Sequence, residues 1–142
     1  MAAHQIDEAT KLYTEDFLNA GLDEHLTGTK DIIFIYLKID FLKQEHRDLI
    51  NLGLKDIARI IRNQIRNIDY AVKLKDSVLI ILPGIKRVQA ERILERIIQK
   101  IDSPTFMDGY SVLTLPKRIM TDIFIYPEET KTKEDILNKL KN

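Results

Sequence analysis

The sequence has no cysteine and no tryptophan, only 5 glycines and 4 prolines, and no excess of charge, since 22 Lys and Arg balance 22 Asp and Glu. Each shortage excludes something. Without cysteine there is no disulfide framework, no thiolate nucleophile and no Cys-based zinc site. So few glycines leave little material for a Gly-rich phosphate loop. Balanced charge argues against a general nucleic-acid or membrane-surface binder, which needs a basic excess. No apolar run approaches the roughly 20 residues of a membrane span. The start, Met1-Ala2-Ala3-His4, lacks the basic and apolar stretches of a secretory signal, so a cytoplasmic, reducing setting is expected. What remains is ordinary globular material, 142 residues with 44% hydrophobic and 31% charged side chains. That suits a single domain over residues 1–142 with a real core. Its ends can be boundaries cut from a longer protein.

Apolar spacing then divides the chain. Ile6, Ala9, Tyr13, Phe17, Leu18, Leu22 and Leu26 recur at three- and four-residue intervals, which predicts an amphipathic helix over 6–26, interrupted near Gly21. Thr27–Lys30 reads as a turn. The run from Asp31 to Ile39 is short, almost continuously apolar and rich in β-branched residues, the pattern of a central strand covered on both faces. Ile50, Leu54, Ile57, Ala58, Ile61, Ile65 and Ile68 form one helical stripe, with Arg59, Arg62 and Arg66 on another side. Tyr70–Leu74 and Ser77–Leu82 are two strand-like runs joined by Lys75-Asp76, a link short enough to force an antiparallel hairpin. Residues 86–101 form a second helix with Val88, Ile93, Ile97 and Ile101 inward and Arg92, Arg96 and Lys100 outward. Ser103-Pro104 breaks it. Tyr110–Leu115 and Arg118–Tyr126 look like another strand pair. Thr132 with Asp135 is a capping box for a last helix. Leu49, Ile60, Leu94 and Ile98 either widen the core faces or form a protein-contact patch. The central order β-α-β-β-α-β predicts an α+β fold, a mostly antiparallel sheet flanked by helices, of the split-βαβ kind found in ferredoxin-like and nucleotidyl-cyclase palm domains.

At the hairpin the chain resembles a known family. Arg66-Asn-Ile-Asp69 followed by a strand, a tight hairpin and an apolar strand ending in Leu82-Pro83 is similar to the GGDEF domains of diguanylate cyclases. There an R-x-x-D precedes the Gly-Gly-Asp/Glu-Glu-Phe hairpin. Residues 7–18 resemble the family's opening motif, D-x-L-T-G-L-x-N-R. Leu37-Lys-Ile-Asp40-Phe41-Leu-Lys43 resembles its D-x-D-x-F-K. Residues 125–137 resemble its closing strand, turn and helix start.

The departures from the motif are chemical. In the family, the hairpin glycines let the backbone approach GTP, and acidic residues bind metal and assist attack of the 3′-hydroxyl. Here the hairpin reads Leu74-Lys75-Asp76-Ser77-Val78, shorter and without glycine. The family's metal-binding Asp at the end of the first strand aligns with Lys38, which offers only donors and would repel a divalent cation. The guanine-reading stretch is shortened to residues 45–52. Phosphoryl transfer depends on metal and positioning. The resemblance therefore implies a degenerate, non-catalytic domain with vestigial positions Lys38, Asp40, Lys75, Asp76 and Ser77, no resident metal and no cofactor.

Arg66-x-x-Asp69 is the motif retained in type. In the family it binds cyclic di-GMP, Arg gripping phosphate and guanine edges and Asp accepting from guanine. Arg62, one turn earlier, could add a phosphate contact. The plainer reading is a solvated arginine at a helix end and an aspartate opening a strand. Lys38 and Asp40 are expected to form a local salt bridge. His4, His25 and His46 show no metal-ligand spacing, and Glu128-Glu129 reads as a solvated turn. The arginine stripes lack an aromatic platform and read as solvated faces. The expected function is a bacterial signalling module acting by homodimerisation or through a protein partner. A cyclic di-GMP receptor is the alternative, and a residual cyclase or nucleotide hydrolase using Asp40 and Asp76 the remote third.

Overall fold

The computed structural model describes residues 6–17, 31–41, 47–75, 77–102 and 117–126. Strand β1 is Ile32–Phe41, helix α1 Arg47–Gln64, strand β2 Tyr70–Lys73, strand β3 Ser77–Pro83, helix α2 Arg87–Asp102 and strand β4 Lys117–Tyr126. The four strands form one sheet in the order β2-β3-β1-β4, with every neighbouring pair antiparallel. Strand β3 is inserted between β1 and β2, as the split-βαβ pattern requires.

The sheet is buried on both faces, which is why β1 reads as a continuous apolar run rather than an alternating one. Ile33, Ile35, Leu37 and Ile39 share a cluster with Ile57, Ala58 and Ile61 of α1 and with Ala90, Ile93, Ile97 and Ile101 of α2. Ile32 and Phe34 belong to the opposite face with Val72, Leu79, Ile81 and Phe124. The Phe34 and Phe124 rings stack there at 5.1 Å. Period two along the strand sends alternate residues to the two layers. Ile60, Leu94 and Ile98 are partly buried against the helical side of the core, so they widen the core rather than form a patch.

Three expectations need correction. Residues 6–14 are not helical. Asp7 accepts from the Thr10 N–H at 2.9 Å and from its hydroxyl at 2.7 Å, the Lys11 N–H donates to the Asp7 carbonyl, and Lys11 adopts φ 63°. This closed turn outcompetes the helix, as a side-chain oxygen that captures local backbone donors can. The chain then lies along the outer edge of β2, where the Tyr13 N–H donates to Ala71 O at 2.9 Å and the Lys73 N–H to Tyr13 O at 2.7 Å. A helical turn follows only at residues 15–17. Second, Ile68 lies beyond the end of α1 and is 57% exposed, and Val88 is 51% exposed. Ala90, two residues on and so about 200° around the helix, occupies the inward side in place of Val88. Third, no ion pair joins Lys38 to Asp40. Residues two apart on a strand are separated by about 6.6 Å of rise. Gly84, at φ 70°, ends β3 and donates its N–H to Asp31 O at 2.9 Å. The expected strand at 110–115, the last helix, the three histidines, Asp76 and Glu128-Glu129 lie outside the described residues.

Candidate functional site

The sequence-predicted site residues fall at the two ends of the β2–β3 hairpin. At its turn, Leu74 N–H donates to Ser77 O at 2.8 Å. With Lys73 opposite Val78 in the register, the link is the two residues 75 and 76, as the sequence predicts. Lys38 of β1 lies directly opposite Ser77 on one side and opposite Met120 on the other. It therefore points to the same face as Ser77, and Asp40 follows on that face opposite Arg118. Ser77 is buried, while Lys38 and Asp40 are half-buried and Lys75 is exposed. The structure thus gathers Lys38, Ser77 and, two residues further along β1, Asp40 at one end of the sheet.

Behind the turn, on the helical side, a cavity of about 20 Å³ is lined by Leu12, Ile39, Leu54, Ile57 and Val78 among others. That is room for about one water molecule, and its walls are mostly apolar. Beside it, an open cleft of about 280 Å³ lies between Lys73 and Lys75 of the hairpin and Asp7, Glu15 and Asp16 of the opening segment. Burial raises the Asp7 carboxyl, but the Thr10 hydrogen bonds and the charges of Lys73 and Lys11 outweigh it, and its pKa falls below the ordinary value. Among the described residues no three carboxylate or imidazole groups converge as a cation site would require.

The other end of the hairpin carries Arg66 and Asp69. The Asp69 side chain is fully buried. Its carboxylate accepts from the Arg66 backbone N–H at 2.7 Å, from Nε at 3.0 and 3.2 Å, and from Nη2 at 2.7 Å. Nη2 also donates to Pro83 O at 2.8 Å. This is a clasp: a bidentate charge-assisted pair that ties the end of α1 to the start of β2 and the end of β3. The Asp69 hydrogen bonds push the guanidinium pKa above its usual value against the opposing loss of solvation. The Arg66 side chain remains 43% exposed, and Arg62 is exposed one turn earlier. The sequence showed the pair but not Pro83 O as its second anchor, because a backbone carbonyl leaves no mark in a motif. Nor did it show that Tyr70 packs into an aromatic group with Tyr13 and Phe17, at ring separations of 5.6 and 5.4 Å. A second ion pair among the described residues, Arg59 to Asp56 at 3.3 Å, lies at the surface and contributes little.

The architecture matches solved structures over nearly its whole length. The GGDEF domain of FimX from Pseudomonas aeruginosa superposes with a TM-score of 0.72 at 21% identity, covering 94% of this chain and 87% of that one. The chain has the fold of a GGDEF domain. The diguanylate cyclase SiaD from Pseudomonas aeruginosa, solved with its activator SiaC, gives a TM-score of 0.74 at 18% identity over 97% of this chain and 56% of its own. The GGDEF domain of DgcB from Caulobacter crescentus, solved with c-di-GMP, gives 0.69 at 14% identity over 95% and 84%. No family model and no curated protein matches by sequence. In the GGDEF opening motif, D-x-L-T-G-L, the glycine falls at Lys11, the one non-glycine residue at positive φ among the described residues. No helix among the described residues is long and apolar enough to cross a membrane.

Proposed function

We propose that this domain is a non-catalytic signalling module of GGDEF fold that acts by contact with protein. The observation that carries this reading is the end of β1. Lys38 occupies the position where the resemblance places a metal-binding aspartate, directly across from Ser77 at the mouth of the hairpin. An ammonium has three donors and no acceptor, so it cannot ligate Mg²⁺ and raises the cost of bringing one near. Asp40 is one carboxylate on that face with a lysine between it and the turn. The residues present therefore do not fit the divalent cation that the family's chemistry uses. The turn is two residues without glycine, so a side chain stands where the family's glycines let the backbone approach the nucleotide. Support for a contact role comes from the solved neighbours, one of which is a cyclase seated on a protein activator.

The test is metal-dependent nucleotide binding. A ligand that binds only the folded state raises the melting temperature. GTP with Mg²⁺ at millimolar concentration is expected to leave the melting temperature of this chain unchanged. A Mg²⁺-dependent rise with GTP would overturn the reading.

A second reading, a cyclic di-GMP receptor at Arg62, Arg66 and Asp69, is favoured by the exposed outer edge of the Arg66 guanidinium and the neighbouring Arg62. Against it stands the Asp69 carboxylate, fully buried and occupied by four hydrogen bonds from three donors of Arg66. It would have to leave the clasp before it could accept from guanine. Calorimetric titration of cyclic di-GMP is expected to show no heat. Saturable heat that disappears with Arg62→Ala would promote this reading over the first.

A further inference from the structure

Residues 6–17 straddle the outer edge of β2. Tyr13 forms a parallel bridge to Val72, so the two side chains share a face of the sheet. There Tyr13 packs with Phe17 and Tyr70. Leu12, one residue back, turns to the helical face, where it is 2% exposed in the cluster that holds Ile39, Ile57 and Val78. The shape of the segment comes from Asp7. Its N–H donates to Leu12 O, its carbonyl accepts from the Lys11 N–H, and its carboxylate accepts from the Thr10 N–H and hydroxyl. Ile6 bridges to Tyr13 across this loop. The loop is therefore closed by bonds within itself.

Its hold on the sheet is thin. Among the described residues, two backbone hydrogen bonds join it to β2, from Tyr13 N–H to Ala71 O and from Lys73 N–H to Tyr13 O. The opposite edge strand, β4, is paired with β1 along its whole length. Alongside β2, the open cleft of about 280 Å³ lies between Asp7, Glu15 and Asp16 of the segment and Lys73 and Lys75 of the hairpin, and no ion pair between described residues closes it. Thr10 and Leu12 also wall the water-sized cavity whose other lining includes Ser77 and Val78, so the segment covers the underside of the hairpin turn.

We propose that residues 6–17 are a strap that leaves the edge of β2 as one piece while the sheet stays folded, uncovering the underside of the hairpin turn. Segments open locally where few backbone bonds and few buried contacts hold them. Here one apolar side chain, Leu12, plugs the helical side, and the Asp7 loop keeps its own hydrogen bonds as it departs. The pairing of β1 with β3 and β4 does not use the two bonds at Tyr13. The strap rests on the contact-module reading for its purpose, since it lets the start of the chain control access to the turn. The motion itself is measured without a partner or a nucleotide.

Hydrogen exchange of the whole chain, read amide by amide as protection from exchange, tests it. Lys73 N–H faces Tyr13, whereas that of its neighbour Val72, paired with Leu79, faces β3. Tyr13 and Lys73 should share one level of protection, at least about tenfold below that of Val72 and Ile35. Their exchange should also depend less on added urea, because strap opening uncovers little surface. Two variants separate strap opening from global unfolding. Ile125→Val weakens the core at the far edge of the sheet, so it should speed Val72 and Ile35 about threefold and leave Tyr13 and Lys73 unchanged. Leu12→Ala removes the plug and should speed Tyr13 and Lys73 at least about tenfold. If Leu12→Ala does not melt cooperatively, Thr10→Val replaces it, since it removes the hydroxyl that donates to Asp7 and accepts from Leu12 N–H, and it should speed the same two amides. Equal protection of all four amides in the wild type overturns the proposal. So does an Ile125→Val chain in which all four speed up alike, and so does a plug or turn variant that leaves Tyr13 and Lys73 unchanged. None of these results touches the contact-module reading, which is tested separately with GTP and Mg²⁺.

Discussion

Replacing Arg66 by alanine should destabilise the fold more than replacing its partner Asp69. The clasp is asymmetric in solvent. The Asp69 side chain has no exposure, whereas that of Arg66 is 43% exposed. In Arg66→Ala the carboxylate stays buried and keeps only the backbone N–H of residue 66 as donor. The carbonyl of Pro83 also loses its partner. Leaving one member of a buried pair costs about 3–5 kcal/mol, and the exposed flank of this pair places the expected loss near the low end, about 3 kcal/mol. In Asp69→Ala the guanidinium can turn to water and keep its bond to Pro83 O. The loss is then chiefly a charge-assisted hydrogen bond and a backbone donor, about 2 kcal/mol. The double variant should cost about 1–2 kcal/mol less than the sum, as groups in direct contact do. Urea unfolding of the four proteins measures this at constant slope, and Arg66→Ala should melt roughly 10 °C lower. If Arg66→Ala is within about 0.5 kcal/mol of wild type, or Asp69→Ala is the worse of the two, the clasp is not what holds this corner.

The left-handed turn at Lys11 carries a local cost, so Lys11→Gly should raise stability by about 0.5–1 kcal/mol while Lys11→Ala leaves it nearly unchanged. Denaturant melts separate the two. Gly84→Ala should lower stability by about 1 kcal/mol or more, because Gly84 holds φ 70° where a Cβ is crowded. The Asp7 carboxyl has a folded pKa below its ordinary value, because the Thr10 hydrogen bonds and the charges of Lys73 and Lys11 outweigh its burial. Its contribution is therefore fully present above that value and is lost as pH falls through the lower folded pKa. Relative to wild type, Asp7→Asn should show a shallower loss of stability below about pH 4, and identical slopes for both proteins would remove Asp7 from the account. Phe34→Ala should cost about 3–5 kcal/mol, since Phe34 is completely buried against Phe124 and no smaller side chain fills that space.

Much of the fold was legible because period and length suffice for long elements. The apolar stripe through Ile57, Ala58 and Ile61 and the one through Ile93, Ile97 and Ile101 identify the two helices. The almost continuously apolar run 31–39 identifies a strand with both faces covered, and the link of two residues at 75–76 fixes the hairpin. The opening segment misled because Ile6, Ala9, Tyr13 and Phe17 happen to recur at helical spacing. What decides its conformation is the Asp7 carboxylate capturing Thr10 and the edge of β2 capturing Tyr13, and neither leaves a periodic trace. Ile68 and Val88 extended genuine stripes past the point where the helix ends or turns away. At the candidate site, the sequence singled out Lys38, Ser77, Arg66 and Asp69 for their chemistry, but did not show that Asp69 is sealed beneath Arg66. The placement of a carboxylate in or out of solvent depends on the third element that covers it, here the end of β3.

The proposal that most of the account depends on is that Lys38, at the position where the resemblance places a metal-binding aspartate, keeps a divalent cation from the mouth of the hairpin. Purified chain incubated with GTP and Mg²⁺, with the nucleotides then separated and quantified, tests it directly. The account predicts GTP recovered intact and no cyclic di-GMP at any protein concentration. Cyclic di-GMP formed in proportion to protein, and abolished by Asp40→Asn, would contradict it.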